Sequence, residues 1–129
     1  LGPRVLVTRM AESGIEMALG LVKDPQFGAL VMVAAGGVFI EVMRDARHAL
    51  APFGPATARR LVDGLRLRPL LDGVRGHPPA DLARLAEVIA RFSVLAAELA
   101  EDIEGFDVNP LIVGPRGVVA VDALVIRKS

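Results

Sequence analysis

Apolar and polar positions alternate along the first third of the chain as they do in half-buried strands. Arg4 to Arg9 alternates around Val5 and Val7, and Ile15 to Lys23 follows after the polar break Glu12-Ser13-Gly14. Asp24-Pro25-Gln26-Phe27-Gly28 reads as a turn, with Pro fixing one φ and Gly supplying the permissive end. Ala29 to Ala34 is a continuous apolar run, the pattern of a central strand covered on both faces. Gly36-Gly37 then turns the chain into Val38 to Met43, where Phe39, Glu41 and Met43 share one face and Val38, Ile40 and Val42 the other. These strands predict an antiparallel meander.

The period changes in the second half. Ala56 to Leu65 carries Leu61, Val62 and Leu65 at helical spacing, after Gly54-Pro55. A longer helix is expected from about Asp81, an N-cap following Pro78-Pro79, to Ala100. Its stripe of Leu82, Leu85, Ile89, Phe92, Ala96 and Leu99 reads as core packing, with Arg84, Glu87 and Arg91 off it. Two apolar runs separated by Gly114-Pro115-Arg116-Gly117 close the chain as a hairpin. Strands, then helices, then strands is an α+β pattern, a largely antiparallel sheet with helices on one face.

That last hairpin carries the candidate chemistry. A turn centred on Gly114 to Gly117 sets Asn109 opposite Asp122, and directly opposed residues lie roughly 5 Å apart at Cβ. Asp107, two residues before Asn109, shares its face. Two carboxylates and an amide oxygen converge there, hard donors of the kind Mg²⁺ takes alongside water or phosphate. The same spacing also fits an exposed polar face.

Composition narrows the function classes. The chain has 129 residues, enough for one domain or one subdomain of something larger. Hydrophobic residues make up 53% and mean hydropathy is +0.49, ample for a core. The longest uncharged stretch, Pro25 to Ile40, is interrupted by glycines and too short for a membrane helix. Fifteen basic and 15 acidic residues cancel, and aromatics are 4%, which argues against a nucleic-acid surface. There are no cysteines, so disulfides and thiolate zinc sites are excluded. A cytoplasmic, soluble protein is expected. The first residue, Leu1, suggests a piece of a longer protein.

Other polar residues weigh less. Glu98, Glu101, Asp102 and Glu104 gather where the helix ends; they oppose the macrodipole, so a cation would relieve them, though a solvated helix end explains them as well. Glu16 and Glu41 interrupt apolar strands, and a charge on a strand's exposed face is normal in an antiparallel sheet. His48 and His77 lack a second histidine at ligand spacing. Gly36-Gly37 leads into a strand and lacks the lysine of a phosphate loop. With only Lys23 and Lys128 as lysines, a phosphate clamp would need arginines or another domain.

Six segments in order carry a family resemblance: Asp24-Pro25-Gln26-Phe27-Gly28, Gly36-Gly37-Val38-Phe39-Ile40-Glu41-Val42, Leu50-Ala51-Pro52, Leu71-Asp72-Gly73-Val74-Arg75-Gly76, Asp107-Val108-Asn109-Pro110-Leu111 and Val121-Asp122-Ala123. Together the chain resembles the C-terminal subdomain of the ATP-grasp domain of NDP-forming acyl-CoA synthetases, relatives of the succinyl-CoA synthetase β subunit. The resemblance implies ATP or ADP held with Mg²⁺, phosphoryl transfer through a carrier histidine, and CoA bound by other domains. It places Asn109 and Asp122 on the metal and Asp107 towards the phosphohistidine. It sets Leu6, Val7 and Arg9 in the linker lining the adenine pocket and adds Glu16 and Glu41 as cofactor-binding candidates. The partners it implies are a nucleotide, a CoA-binding and carrier-histidine domain or subunit, and further copies in an oligomer. This piece alone is expected to be inactive. Two departures stand out: Ala49 replaces an Arg usual before Leu-Ala-Pro, with Arg47 and His48 nearby, and Thr8-Arg9-Met10 replaces an acidic or amide residue before Met. A regulatory ATP-grasp module fused to a protein acetyltransferase is the alternative from another class, and a carboxylate–amine ligase a third reading.

Overall fold

A computed structural model describes residues 14–36, 45–73, 76 and 78–129. Strands β1 (Ile15–Asp24), β2 (Gly28–Ala35) and β3 (Ala46–Leu50) precede helix α1 (Pro55–Asp63). A short 3-10 turn (Arg68–Asp72), helix α2 (Leu82–Leu99) and strands β4 (Ile103–Gly114), β5 (Gly117–Ala120) and β6 (Ala123–Arg127) follow. The expected strands at Arg4 to Arg9 and Val38 to Met43 lie outside the described residues.

The strand order is β3-β2-β1-β4-β5, with β6 also paired to β4, and every pairing is antiparallel. The β1–β2 hairpin forms where expected. Asp24 Oδ1 accepts from the Gln26 and Phe27 amides at 2.7 and 2.9 Å, an Asx turn that ends at Gly28 with φ 92°. The meander's next strand among the described residues is β3, which the alternation did not predict. Its five residues put Ala46, His48 and Leu50 on one face and Arg47 and Ala49 on the other, so neither face is uniformly apolar and no alternation shows.

One face of the sheet holds the core. Met17, Leu19 and Leu21 of β1 stand beside Val31 and Val33 of β2 and Val108, Leu111 and Val113 of β4. The predicted α2 stripe covers them: Leu85, Ile89, Phe92 and Ala96 are buried, and the Phe92 and Phe106 rings sit 4.6 Å apart. Asp81 caps α2 as expected, its carboxylate accepting from the Arg84 amide at 3.0 Å. The Asp81 amide in turn donates to the Gly114 carbonyl, tying the helix start to the end of β4. Among the described residues no helix is long and apolar enough to cross a membrane.

Two buried polar residues fasten the connections. Asp45 accepts from the Arg66 and Leu67 amides at 2.6 and 2.9 Å, pinning the chain after α1 to the start of β3. Ser93 accepts from the Phe53 amide at 3.0 Å and reaches the Ala90 carbonyl at 2.6 Å, pinning the loop before α1 to α2. Neither stands out in the sequence, because a lone Asp or Ser shows no partner there.

Arg68 links Asp63 and Asp72 at 2.8 Å each, and Arg59 joins Asp63 at 3.2 Å. The Arg68 hydrogen bond holds the Asp63 carboxyl below its ordinary value. A lowered folded-state pKa contributes stability above the unfolded value near ~4 and loses it as pH falls through the folded value. The carboxylate is half exposed, so solvent screens the network. Asp63→Asn is therefore expected to cost under about 1 kcal/mol at about pH 7 and less at about pH 3. Urea unfolding at both pH values checks this; a cost undiminished in acid would mean the charge is not its source. Ser93→Ala should cost more, about 1–3 kcal/mol, because it leaves the Phe53 amide without its acceptor. A urea midpoint equal to wild type would show that another acceptor replaces the hydroxyl.

Candidate functional site

The second face of the sheet is where the polar residues of the terminal hairpin emerge. Along β4, Phe106 and Val108 are buried while Asp107 and Asn109 are exposed. The hairpin register is the one the turn predicts. Leu111 pairs with Ala120 and Gly114 with Gly117, and the same register continues into β6, where Val108 pairs with Ala123 and Asp107 with Leu124. Between the two stretches the Asn109 amide donates to the Asp122 carbonyl at 3.1 Å, so these two residues face each other.

On its other side β4 carries a bulge. Leu19 pairs with Val108 and Met17 with Leu111, leaving Ala18 opposite both Asn109 and Pro110. Such a bulge re-aims side chains and breaks regular pairing. It allows Val108 and Leu111 both to face the core, with Asn109 turned out between them. The β5–β6 path is interrupted at the matching place, at Val121 and Asp122.

A cavity of about 320 Å³ opens on this face, lined by Asp107, Asn109 and Asp122 together with Ala18, Met32 and Leu124 among others. Its walls come from four strands: β1, β2, β4 and the β5–β6 return. Asp122 uses Oδ1 locally, accepting from the Ala123 amide at 3.0 Å. The donor set is two carboxylates and one amide oxygen. Among the described residues no three His, Cys, Asp or Glu side chains gather as a self-sufficient metal cage. A set of this size suits Mg²⁺, which leaves its remaining positions to water and phosphate oxygens.

A family profile describing the ATP-grasp domain matches residues 3–126. The chain belongs to the ATP-grasp family. Its fold is that of an ATP-grasp subdomain, as the six motifs led one to expect. It is 34% identical over 127 residues to the β subunit of acetate–CoA ligase [ADP-forming] II of Pyrococcus furiosus, covering 97% of this chain and 54% of that protein. To the β subunit of the corresponding enzyme I it is 36% identical over 122 residues, covering 95% and 52%. Among solved structures it superposes, with TM-score 0.83 and 36% identity, on acetyl-coenzyme A synthetase 1 of Ca. Korarchaeum cryptofilum, covering 89% of this chain and 54% of that one. That crystal holds coenzyme A and Mg-AMPPCP, with a phosphohistidine segment pointing towards the nucleotide-binding site. The ATP-grasp chain thus spans about half the length of these relatives.

Of the candidate residues, Asp107, Asn109 and Asp122 come together. Glu16 lies two residues before Ala18 on β1, half-buried, and is not among the residues lining the cavity. Its backbone carbonyl accepts from the Gly36 amide at 2.9 Å. Leu6, Val7, Arg9 and Glu41 lie outside the described residues. Glu98, Glu101, Asp102 and Glu104 are exposed and do not line the cavity, which fits the solvated helix end.

Exposure and few local contacts make the three cavity residues poor candidates for structural roles. Asp107→Asn, Asn109→Ala and Asp122→Ala are each expected to stay within about 0.5 kcal/mol of wild type in urea unfolding. A loss above about 2 kcal/mol at any of them would mark that residue as structural.

Proposed function

We propose that this chain is the nucleotide- and Mg²⁺-binding part of an NDP-forming acyl-CoA synthetase, an acid–thiol ligase acting in the cytoplasm. The whole reaction interconverts acyl-CoA, NDP and phosphate with acid, CoA and NTP through a phosphohistidine. The convergence of Asp107, Asn109 and Asp122 on one open sheet face carries the reading. Similarity to the two Pyrococcus ligase β subunits supports it. CoA and the carrier histidine belong, on this reading, to partner domains or a partner subunit, and the assembled protein is an oligomer.

The three residues divide the work. Asn109 and Asp122, opposed across the hairpin, would hold Mg²⁺, which when bound neutralises phosphate charge. Asp107 reaches the same cavity from the next outward position on β4, where a histidine arriving over the open face would meet it. Its carboxylate would orient the imidazole and stabilise the protonated form. Phosphoryl transfer depends mainly on such positioning and charge neutralisation, so a shallow polar face is sufficient chemistry for this part of the protein. Glu16, and Leu6, Val7, Arg9 and Glu41 from the segments outside the described residues, complete the proposed nucleotide contacts.

The proposal makes the variants separable in the full-length protein. Asn109→Ala and Asp122→Ala should raise the Mg²⁺ requirement of phosphoenzyme formation by about tenfold or more, as expected for loss of a ligand or its support. Asp107→Asn should leave the Mg²⁺ titration in place while phosphoenzyme yield collapses. Mg²⁺ titrations with radiolabelled ATP read both quantities. An equal rise in Mg²⁺ requirement for Asp107→Asn would make it a metal ligand instead, and three wild-type titrations would sink the site.

A further inference from the structure

A row of paired residues crosses the open face, and one of them has no side chain. Met32 of β2 pairs with Gly20 of β1, Gly20 with Asp107 of β4, and Asp107 with Leu124 of β6. Met32, Asp107 and Leu124 all line the cavity. Glycine inside a strand gives up packing and costs chain entropy, so its presence there calls for a reason. Backbone conformation is not the reason, because Gly20 is not among the glycines with positive φ.

Space is. A Cβ added at Gly20 would lie 2.9 Å from Asp107 Oδ1 and 3.4 Å from the Met32 methyl. The Asp107 carboxylate leans across the strand boundary and occupies the volume that a side chain at position 20 would fill.

We propose that Gly20 is a positioning residue: by leaving its face of β1 vacant, it sets the direction in which Asp107 presents its carboxylate to the cavity. The inference rests on the phosphohistidine role proposed above for Asp107 and adds the residue on which that role depends. An alanine at position 20 would drive the carboxylate off β1 and change the direction in which it enters the cavity. The atom displaced is the tip of a side chain with two free torsions, so the strand itself has no need to move.

The test is a double-mutant cycle in the full-length protein, joined to a crystal structure of the Gly20→Ala variant. Gly20→Ala should lower the rate of phosphoenzyme formation about tenfold while the thermal midpoint holds or rises, since alanine is the less costly residue in a strand. In an Asp107→Asn background, Gly20→Ala should cause no further loss, because the group it positions has already lost its charge. Losses that multiply in the double variant, or a wild-type rate for Gly20→Ala, would overturn the proposal. If Asp107→Asn alone forms phosphoenzyme normally, the histidine role of Asp107 fails, and the crystal structure then judges Gly20 by itself. A carboxylate rotated away from position 20 supports the positioning role, and one left in place overturns it.

Discussion

The pairing of β4 with β1 on one side and with the β5–β6 return on the other is the constraint on which the rest of this structure depends. At 12 residues β4 is the longest strand among those described, and it alone bridges the amino-terminal meander and the terminal hairpin. Its buried side completes the core under α2 through Phe106, Val108, Leu111 and Val113. Its other side carries Asp107 and Asn109. A one-residue slip would exchange the two sets and place acids against the helix, so burial of the core also fixes where the polar groups point. Stability and chemistry are set by one register.

The bulge at Asn109 and Pro110 adds a second level to that constraint. Regular pairing along all of β4 would alternate strictly and could not send both Val108 and Leu111 inward. The extra residue opposite Ala18 resolves this and leaves Asn109 directed outward beside the interruption at Val121 and Asp122. Ala18, the residue opposite the bulge, lines the cavity from β1 beside Asp107 and Asn109 of the longer strand. The ATP-grasp fold thus builds its polar patch from a local irregularity in an otherwise regular sheet.

Much of this was legible along the chain because the signals were local. The Asp24 to Gly28 turn, the Asp81 cap, the α2 stripe and the hairpin around Gly114 to Gly117 each rest on residues close in sequence, and each formed as read. The opposition of Asn109 and Asp122 followed from the turn alone. What escaped depended on distant partners. Strand β3 mixes Arg47 and His48 with small Ala46 and Ala49 and is short, so its inward residue Ala49 shows no period and is covered only by distant parts of the chain. Asp45 and Ser93 are buried only because Arg66, Leu67 and Phe53 bring amides to them from elsewhere in the chain. Gly20 gave no sign of a role, since its relation to Asp107 exists only once β1 and β4 are aligned.

The distance along the chain between β1 and β4 has a consequence for how the protein is made. The β1–β2–β3 meander precedes β4 and can pair within itself, but among the described strands the β1 edge that faces β4 has no partner until β4 has been synthesised. Until then that edge, with Met17, Leu19 and Leu21 beside it, is an open apolar ladder of the kind that recruits other strands. The helices between cannot close it, since α2 needs the completed sheet beneath its stripe. The strand that seals the β1 edge is the one that bears Asp107 and Asn109, so a chain still lacking β4 cannot display the cavity.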